Sequence, residues 1–223
     1  MTKKNEISSI LKNSKNLVDI FNFYVKKKPD HKAFFFKENN NWISNSFFET
    51  KKRIEKIKNH FLNNGIKPGD RVFLLSNNRL EWVEFDLAIM SVGAITVPSF
   101  VTNNQHDNSF IINDCKPKFV VLENDGVYKK NKSFLKISQS KIITIETSDH
   151  FENYNNILNK TIIIKTKGVI IKKKQISSII YTSGTTGNPK GVVLTHESIM
   201  HNLFGALEIM EEFDLNDYRN LCA

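Results

Sequence analysis

Between Ile179 and His196 the chain reads IIYTSGTTGNPKGVVLTH, a composition unlike anything before it. Thr182, Ser183, Gly184, Thr185, Thr186 and Gly187 are followed by Asn188, Pro189, Lys190 and Gly191, with an apolar run on either side. Glycines allow successive backbone N–H groups to converge on one concavity. Three threonines and a serine add hydroxyl donors, and Lys190 adds a positive charge at the rim. Such a loop is a cradle for polyphosphate. A Walker A loop needs Gly-Lys followed by Ser or Thr at the start of a helix, whereas Lys190 is followed by Gly191 and a strand, so the P-loop NTPase class is excluded. A plain hairpin turn needs no more than one Gly and one Asn, and the density of hydroxyls here therefore argues for a ligand. His196 falls at the start of the next helix, with Ile199, Leu203 and Met210 on one face, as a capping or core-edge residue.

Other chemistries are poorly supplied. Cys115 and Cys222 lie far apart with no CxxC and no histidine at ligand spacing, which supports neither a disulfide framework nor a zinc site and makes a reducing cytosol the default compartment. The 32 Lys and Arg against 23 Asp and Glu give a net charge of +9, yet only four of the 32 are Arg. The aromatics sit mostly inside apolar periodic segments rather than among the lysines as stacking platforms, so nucleic acid is not an expected partner. The N-terminus, MTKKNEISSILKN, has no apolar h-region and no small-residue cleavage site. The most apolar stretch, Phe85 to Phe100, contains Asp86, Gly93 and Pro98 and is a helix and a strand rather than a membrane span.

The elements that must position the loop follow from periodicity. A first helix runs from Asn16 as N-cap through Lys28, with Leu17, Ile20, Phe21, Tyr24 and Val25 on one stripe and Pro29 beyond it. Ala33 to Phe36, the turn Asn39-Asn40-Asn41, and Trp42-Ile43 make a strand pair. Ser46 with Glu49 forms a capping box for a helix carrying Phe47, Ile54, Ile57 and Phe61 up to Gly65. Val72 to Leu75 is a strand, Asn78 with Glu81 opens the next helix, Gly93 closes it, and Ala94 to Pro98 is another strand. A helix through Phe110, Ile111 and Ile112 stops before Pro117, and Phe119 to Leu122 is a further strand. From Asp125 to Lys174 the pattern weakens, with Ile142–Ile145 and Ile162–Ile164 as candidate strands. Alternating strands and helices predict an α/β fold with a mostly parallel sheet covered on both faces, and such sheets bind ligands at the carboxyl ends of their strands. The length fits one large domain, or one and part of a second.

The stretch TSGTTGNPKGV is similar to the signature phosphate loop of the AMP-forming adenylate synthetases, the superfamily of acyl-CoA synthetases and luciferases. The segment GDRVFLLSNNRLEWVEFDLAIMSVGAITVPSFVTNN, Gly69 to Asn104, resembles long-chain fatty acyl-CoA synthetases, and NLVDIFNFYVKKKPDHKAFFF resembles their first helix and strand. Asp125 to Lys174 is diverged, with Lys172, Lys173, Lys174 and Gln175 where family members usually carry acidic residues.

The resemblance implies a mostly parallel sheet with flanking helices, the N-terminal portion of the synthetase large domain. It also implies ATP, Mg²⁺ and coenzyme A, with a fatty acid or other carboxylate as substrate. By that resemblance Thr182, Ser183, Gly184, Thr185, Thr186, Gly187 and Lys190 hold the phosphates, Lys190 is the catalytic cation and Thr182 touches the metal. Residues 1–223 would form a partial adenylation domain, without the later adenine, ribose and hinge motifs or the small C-terminal domain, and inactive alone. A fragment of another adenylate-forming ligase and a non-catalytic nucleotide-binding remnant are the alternatives. A cytoplasmic enzyme is expected, with peripheral contact to a membrane surface left open.

Overall fold

The computed structural model describes residues 9, 10, 12–136, 138–161, 169–182 and 187–209. In chain order the elements are α1 (Leu17–Lys27), β1 (Lys32–Glu38), β2 (Asn41–Ser46), α2 (Phe47–Asn63), β3 (Arg71–Leu75), α3 (Leu80–Ser91), β4 (Ile95–Ser99), α4 (Gln105–Cys115) and β5 (Phe119–Leu122). They continue with α5 (Asp125–Leu135), β6 (Lys141–Thr144), β7 (Glu152–Asn153), α6 (Tyr154–Lys160), β8 (Ile176–Thr182), β9 (Lys190–Thr195) and α7 (His196–Ile209).

Local chemistry fixes many of these boundaries. The Asn16 side chain accepts from the Asp19 backbone N–H at 2.9 Å to begin α1, and Ser46 and Glu49 close a reciprocal capping box at the start of α2. Asn39 and Asn40 both take positive φ, 47° and 64°, as the two-residue turn between β1 and β2 requires. The expected start of α3 moves by one residue. Arg79 occupies the N-cap position with no side-chain cap, because a guanidinium has no acceptor to offer the first-turn N–H groups; it donates instead to Glu81 at 2.9 Å and Glu146 at 3.1 Å. The diverged stretch contains more structure than its periodicity revealed: α5 and α6 are capped by Asn124 and Asn153, whose side chains accept from Val127 and Asn156 N–H. The candidate strand at Ile162–Ile164, like Met210 and Cys222, lies outside the described residues.

Seven strands form one sheet in the order β7-β6-β5-β3-β4-β8-β9, parallel throughout except for the antiparallel pair β8 and β9. The hairpin β1–β2 stands apart as its own two-stranded sheet. Alternation in β3 and β5 sends Val72, Leu74, Phe119 and Val121 into a core with Ile54, Ile57 and Phe61 of α2, Phe85 and Ile89 of α3, and Ile157 of α6. Phe73, Leu75, Val120 and Leu122 enter a second core with Ile111 and Ile112 of α4 and Phe134 and Leu135 of α5. The sheet is therefore covered on both faces, as its unbroken apolar strands demand. The apolar stretch Phe85 to Phe100 divides between α3 and β4 as expected, and among the described residues no helix is long and apolar enough to cross a membrane.

Two close approaches tie the layers together. Gly93 leaves α3 at φ +72°, and its carbonyl accepts from Gly69 N–H at 2.8 Å and from the Gln175 side chain at 2.9 Å. The start of α1 is held from far along the chain. Asn16 donates to Ile171 O at 3.3 Å, and Leu17 N–H points to Nδ1 of His196 at 3.5 Å.

Candidate active site

At the carboxyl edge of the sheet the polar residues that follow the strands pair with one another. After β3, Asn77 donates its backbone N–H to Glu123 at 2.6 Å and its side-chain amide to the same carboxylate at 3.2 Å. Arg79 bridges Glu81 and Glu146, and Asn124 donates to Glu146 at 3.1 Å. The hydrogen bond that Arg79 donates to Glu81 raises the Arg79 pKa above its ordinary value, so the guanidinium is held charged. Behind β4, Ser99 donates to Asn108 at 2.8 Å, accepts from Asn103 at 3.0 Å, and is linked through Asn108 to Asn131 at 3.3 Å. Of these residues only Glu81 carries a sequence signal of its own, as a helix-opening residue. For the others the available signal is positional: Ser76-Asn77-Asn78, Glu123-Asn124 and Glu146 each follow directly on an apolar run.

The hydroxyl- and glycine-rich loop opens from this same edge. Strand β8 runs parallel to β4, with Ser178 opposite Thr96, so it ends at the carboxyl side. Strand β9 returns antiparallel in the register Tyr181 opposite Gly191 and Thr182 opposite Lys190. Thr182 and Lys190 thus form the last pair below the loop, and both are exposed, as is Gly187 at φ +95°. Ser183, Gly184, Thr185 and Thr186 lie outside the described residues. The loop joins two strands, as the Gly191 strand signal required, and no helix begins at Lys190.

Gly191 has a packing reason. A Cβ there would lie 3.0 Å from Cγ2 of Ile179 and 3.1 Å from the Tyr181 ring. The Tyr181 hydroxyl in turn donates to Asp114 at the end of α4. Burial and that carboxylate both raise the Tyr181 pKa, which keeps the phenol protonated as the donor. The neck of the loop is thereby fixed to α4 through one phenol.

His196 is not part of this edge. It lies at the far end of β9, six residues or on the order of 20 Å from the neck. It is buried, and burial pushes its pKa down to about 4. It is a core-edge residue, the neutral acceptor for the first turn of α1.

Among the described residues no group of three or more His, Cys, Asp and Glu is placed to hold a metal ion. The donor set at the neck, a threonine hydroxyl beside a lysine, suits an ion brought in on phosphate oxygens rather than one caged by protein carboxylates.

An open, mainly parallel sheet ending in an antiparallel hairpin, with a hydroxyl- and glycine-rich sequence between its two strands, defines an α/β class distinct from the P-loop enzymes. The family model described as AMP-binding enzyme matches residues 21–222, and the chain belongs to that family. It is 26% identical over 175 residues to the long-chain-fatty-acid–CoA ligase FadD15 of Mycobacterium tuberculosis, covering 74% of this chain and 28% of that protein. The solved structure of the fatty acyl-adenylate ligase from L. pneumophila, in complex with acyl adenylate and pyrophosphate, superposes with a TM-score of 0.70 at 26% identity, covering 93% of this chain and 34% of that one. The anthranilate CoA ligase AuaEII in complex with anthranoyl-AMP, at 21% identity and a TM-score of 0.71, shares the fold over 82% of this chain and 35% of its own. The chain thus spans between a quarter and about a third of the length of these relatives.

Proposed function

We propose that residues 1–223 supply the phosphate-holding part of an AMP-forming carboxylate–CoA ligase, with a long-chain fatty acid as the carboxylate and ATP and coenzyme A as the other substrates. The observation that carries this reading is the exposed Thr182–Lys190 pair at the neck of a hydroxyl- and glycine-rich loop, on the carboxyl edge of a parallel sheet. The family match and the printed activity of FadD15 support the substrate class.

In this reading a carboxylate oxygen attacks the α-phosphorus of ATP, and the bond to the bridging oxygen of pyrophosphate breaks. A free carboxylate resists attack by a thiol, so the acyl group must first become a mixed anhydride with AMP. The thiolate of coenzyme A then adds to the acyl carbon and AMP leaves. Charge collects on the departing pyrophosphate during the first step, and donors fixed in advance at that place lower the barrier. Lys190 contributes a charge-assisted hydrogen bond to the β- and γ-phosphates, and Thr182, Ser183, Thr185 and Thr186 contribute hydroxyls. Gly184 and Gly187 leave the backbone N–H groups of the loop open to phosphate. Thr182 would be the protein group that holds magnesium, which would supply positive charge to neutralise the phosphates.

Residues 1–223 are the N-terminal part of the adenylation domain in this reading, and the groups that face the adenine, ribose and carboxylate come from outside them. In the same reading the chain works in the cytoplasm. Isothermal titration of the 223-residue chain with magnesium pyrophosphate tests the site directly. Lys190→Ala is expected to weaken binding roughly tenfold to a hundredfold, the value of one charge-assisted hydrogen bond, while the melting temperature stays put because Lys190 is exposed. Equal affinities would remove Lys190 from the site.

A further inference from the structure

The outer half of the β8–β9 hairpin carries Thr182 and Lys190, yet little of it is tied to the body of the fold. The ladder between β4 and β8 is the single pair of Thr96 with Ser178, so residues 180–182 run on without a partner in β4. Among the described residues β9 pairs with β8 alone, and Lys190, Gly191, Val192 and Val193 are exposed. A two-stranded ribbon is marginally stable by itself, so the direction of its tip has to be set by side chains.

One side chain is placed to do so. Ile179 and Tyr181 pack on the core that contains Phe73, Ile111 and Ile112, and the Tyr181 hydroxyl donates to Asp114. Among the described residues Tyr181 is the one side chain of residues 180–182 and 190–192 with a hydrogen bond to the rest of the fold. Its anchor is well fastened. Asp114 is the last residue but one of α4, beside the buried Ile111, Ile112 and Cys115. Arg71 at the start of β3 closes that helix end, donating from Nε to Cys115 O at 2.6 Å, from Nη2 to Lys116 O at 3.0 Å and from Nη1 to Gly69 O at 3.3 Å. On its other side the phenol ring lies against the backbone of Gly191, where a Cβ would stand 3.1 Å from the ring Cζ, directly beside Lys190. Tyr181 thus spans from a fixed helix end to the residue next to the cation. Its one O–H proton is given to Asp114, which leaves it no donor for phosphate.

We propose that Tyr181 and Asp114 are positioning residues that set where Lys190 and Thr182 point, an inference that rests on the phosphate-holding reading of the loop. Neither touches the phosphates. An ammonium group binds phosphate well where it is already placed, because the cost of ordering it is otherwise subtracted from the contact.

Amide hydrogen exchange, read by nuclear magnetic resonance on the ligand-free 223-residue chain, tests the anchor, and calorimetric titration with magnesium pyrophosphate tests its consequence. Tyr181→Phe keeps the ring on Gly191 and loses only the O–H. Exchange at Thr182, Lys190 and Gly191 should become about tenfold faster, and affinity for magnesium pyrophosphate should fall roughly threefold to tenfold. Asp114→Ala should do the same. Asp114→Asn, whose amide oxygen still accepts, should hold wild-type affinity to within about twofold. In a Lys190→Ala background Tyr181→Phe should weaken binding no further, a coupling that general loosening of the fold would not produce. Unchanged exchange in Tyr181→Phe, unchanged affinity, or an equal further loss in the Lys190→Ala background would each overturn the proposal while leaving the loop as a phosphate site. Failure of the wild-type chain to bind magnesium pyrophosphate would instead overturn the phosphate reading, and the role assigned to Tyr181 and Asp114 with it.

Discussion

Glu84 is a buried carboxyl group whose ionisation is costly to this fold. It is buried between α2, α3 and α6, accepting from Arg53 at 3.3 Å and from the Tyr154 hydroxyl. Burial outweighs both partners and pushes its pKa up to about 7, and burial likewise raises Asp86 to about 6. A carboxyl group whose folded pKa is raised binds more protons folded than unfolded, so it stabilises the chain as pH falls from about 7 toward its ordinary value. His196 has the opposite sign. Its folded pKa of about 4 lies below the ordinary value of 6.5, so unfolding takes up a proton in that window and stability falls with pH. The two effects oppose each other between about pH 4.5 and 6.5. Glu84→Gln removes one of them. Urea midpoints compared at about pH 7.5 and pH 5 should show the variant losing roughly 2 kcal/mol more than wild type on acidification, and parallel profiles would mean that folding does not raise the pKa of Glu84.

Among the elements, the junction of α3 with β4 is the most constrained. Gly93 combines a φ of +72° with a close approach: a Cβ would lie 2.8 Å from the Gln175 amide and 3.3 Å from Pro68 and Val169. An L-residue there pays for left-handed backbone and disturbs the hydrogen bond from Gln175, which holds the entry to β8. Gly93→Ala should therefore cost about 2 kcal/mol, a fall in melting temperature of roughly 5 °C for a chain of this size. A scan showing no change would place the restraint on β8 elsewhere. By contrast, β9 is short of cover. It pairs with β8 on one side, and Ile180, Val192, Val193 and Leu203 of this hairpin and α7 are exposed. An exposed apolar edge strand invites edge-to-edge pairing, so light scattering at rising concentration should detect self-association that Val193→Lys reduces.

At the scale of the molecule, the described part of the site has a neck and a surrounding edge, with the chain reaching 28% of the length of FadD15. Adenylation requires the α-phosphorus, the carboxylate and the metal to be held in line, and positioning of that kind supplies several kcal/mol to catalysis. On the proposed function, one wall of a cleft would hold polyphosphate without orienting the attack. Incubated with ATP, Mg²⁺, coenzyme A and a long-chain fatty acid, the 223 residues alone are accordingly expected to yield no thioester. Thioester made by a stable monomer would show that this wall is sufficient.

What the sequence determined by itself was whatever depends on neighbours along the chain. The capping box at Ser46 and Glu49, the apolar strands Val72–Leu75 and Phe119–Leu122, the Asn39–Asn40 turn and the loop between two strands were all legible, because backbone sterics and short-range periodicity set them. Helices α5 and α6 were not, since each buries only a few side chains and their lysine- and asparagine-rich faces mask the period. The tertiary structure alone decided what depends on distant partners. It set the order of strands, the register that puts Lys190 opposite Thr182, and the pairing of Asn77 with Glu123 and of Arg79 with Glu146. It also gave the core-edge His196 its partner, the backbone N–H of Leu17. These contacts join groups dozens to well over a hundred residues apart, except for the hairpin pair, and no local pattern specifies them. They exist because desolvated polar groups must find partners once apolar faces are packed.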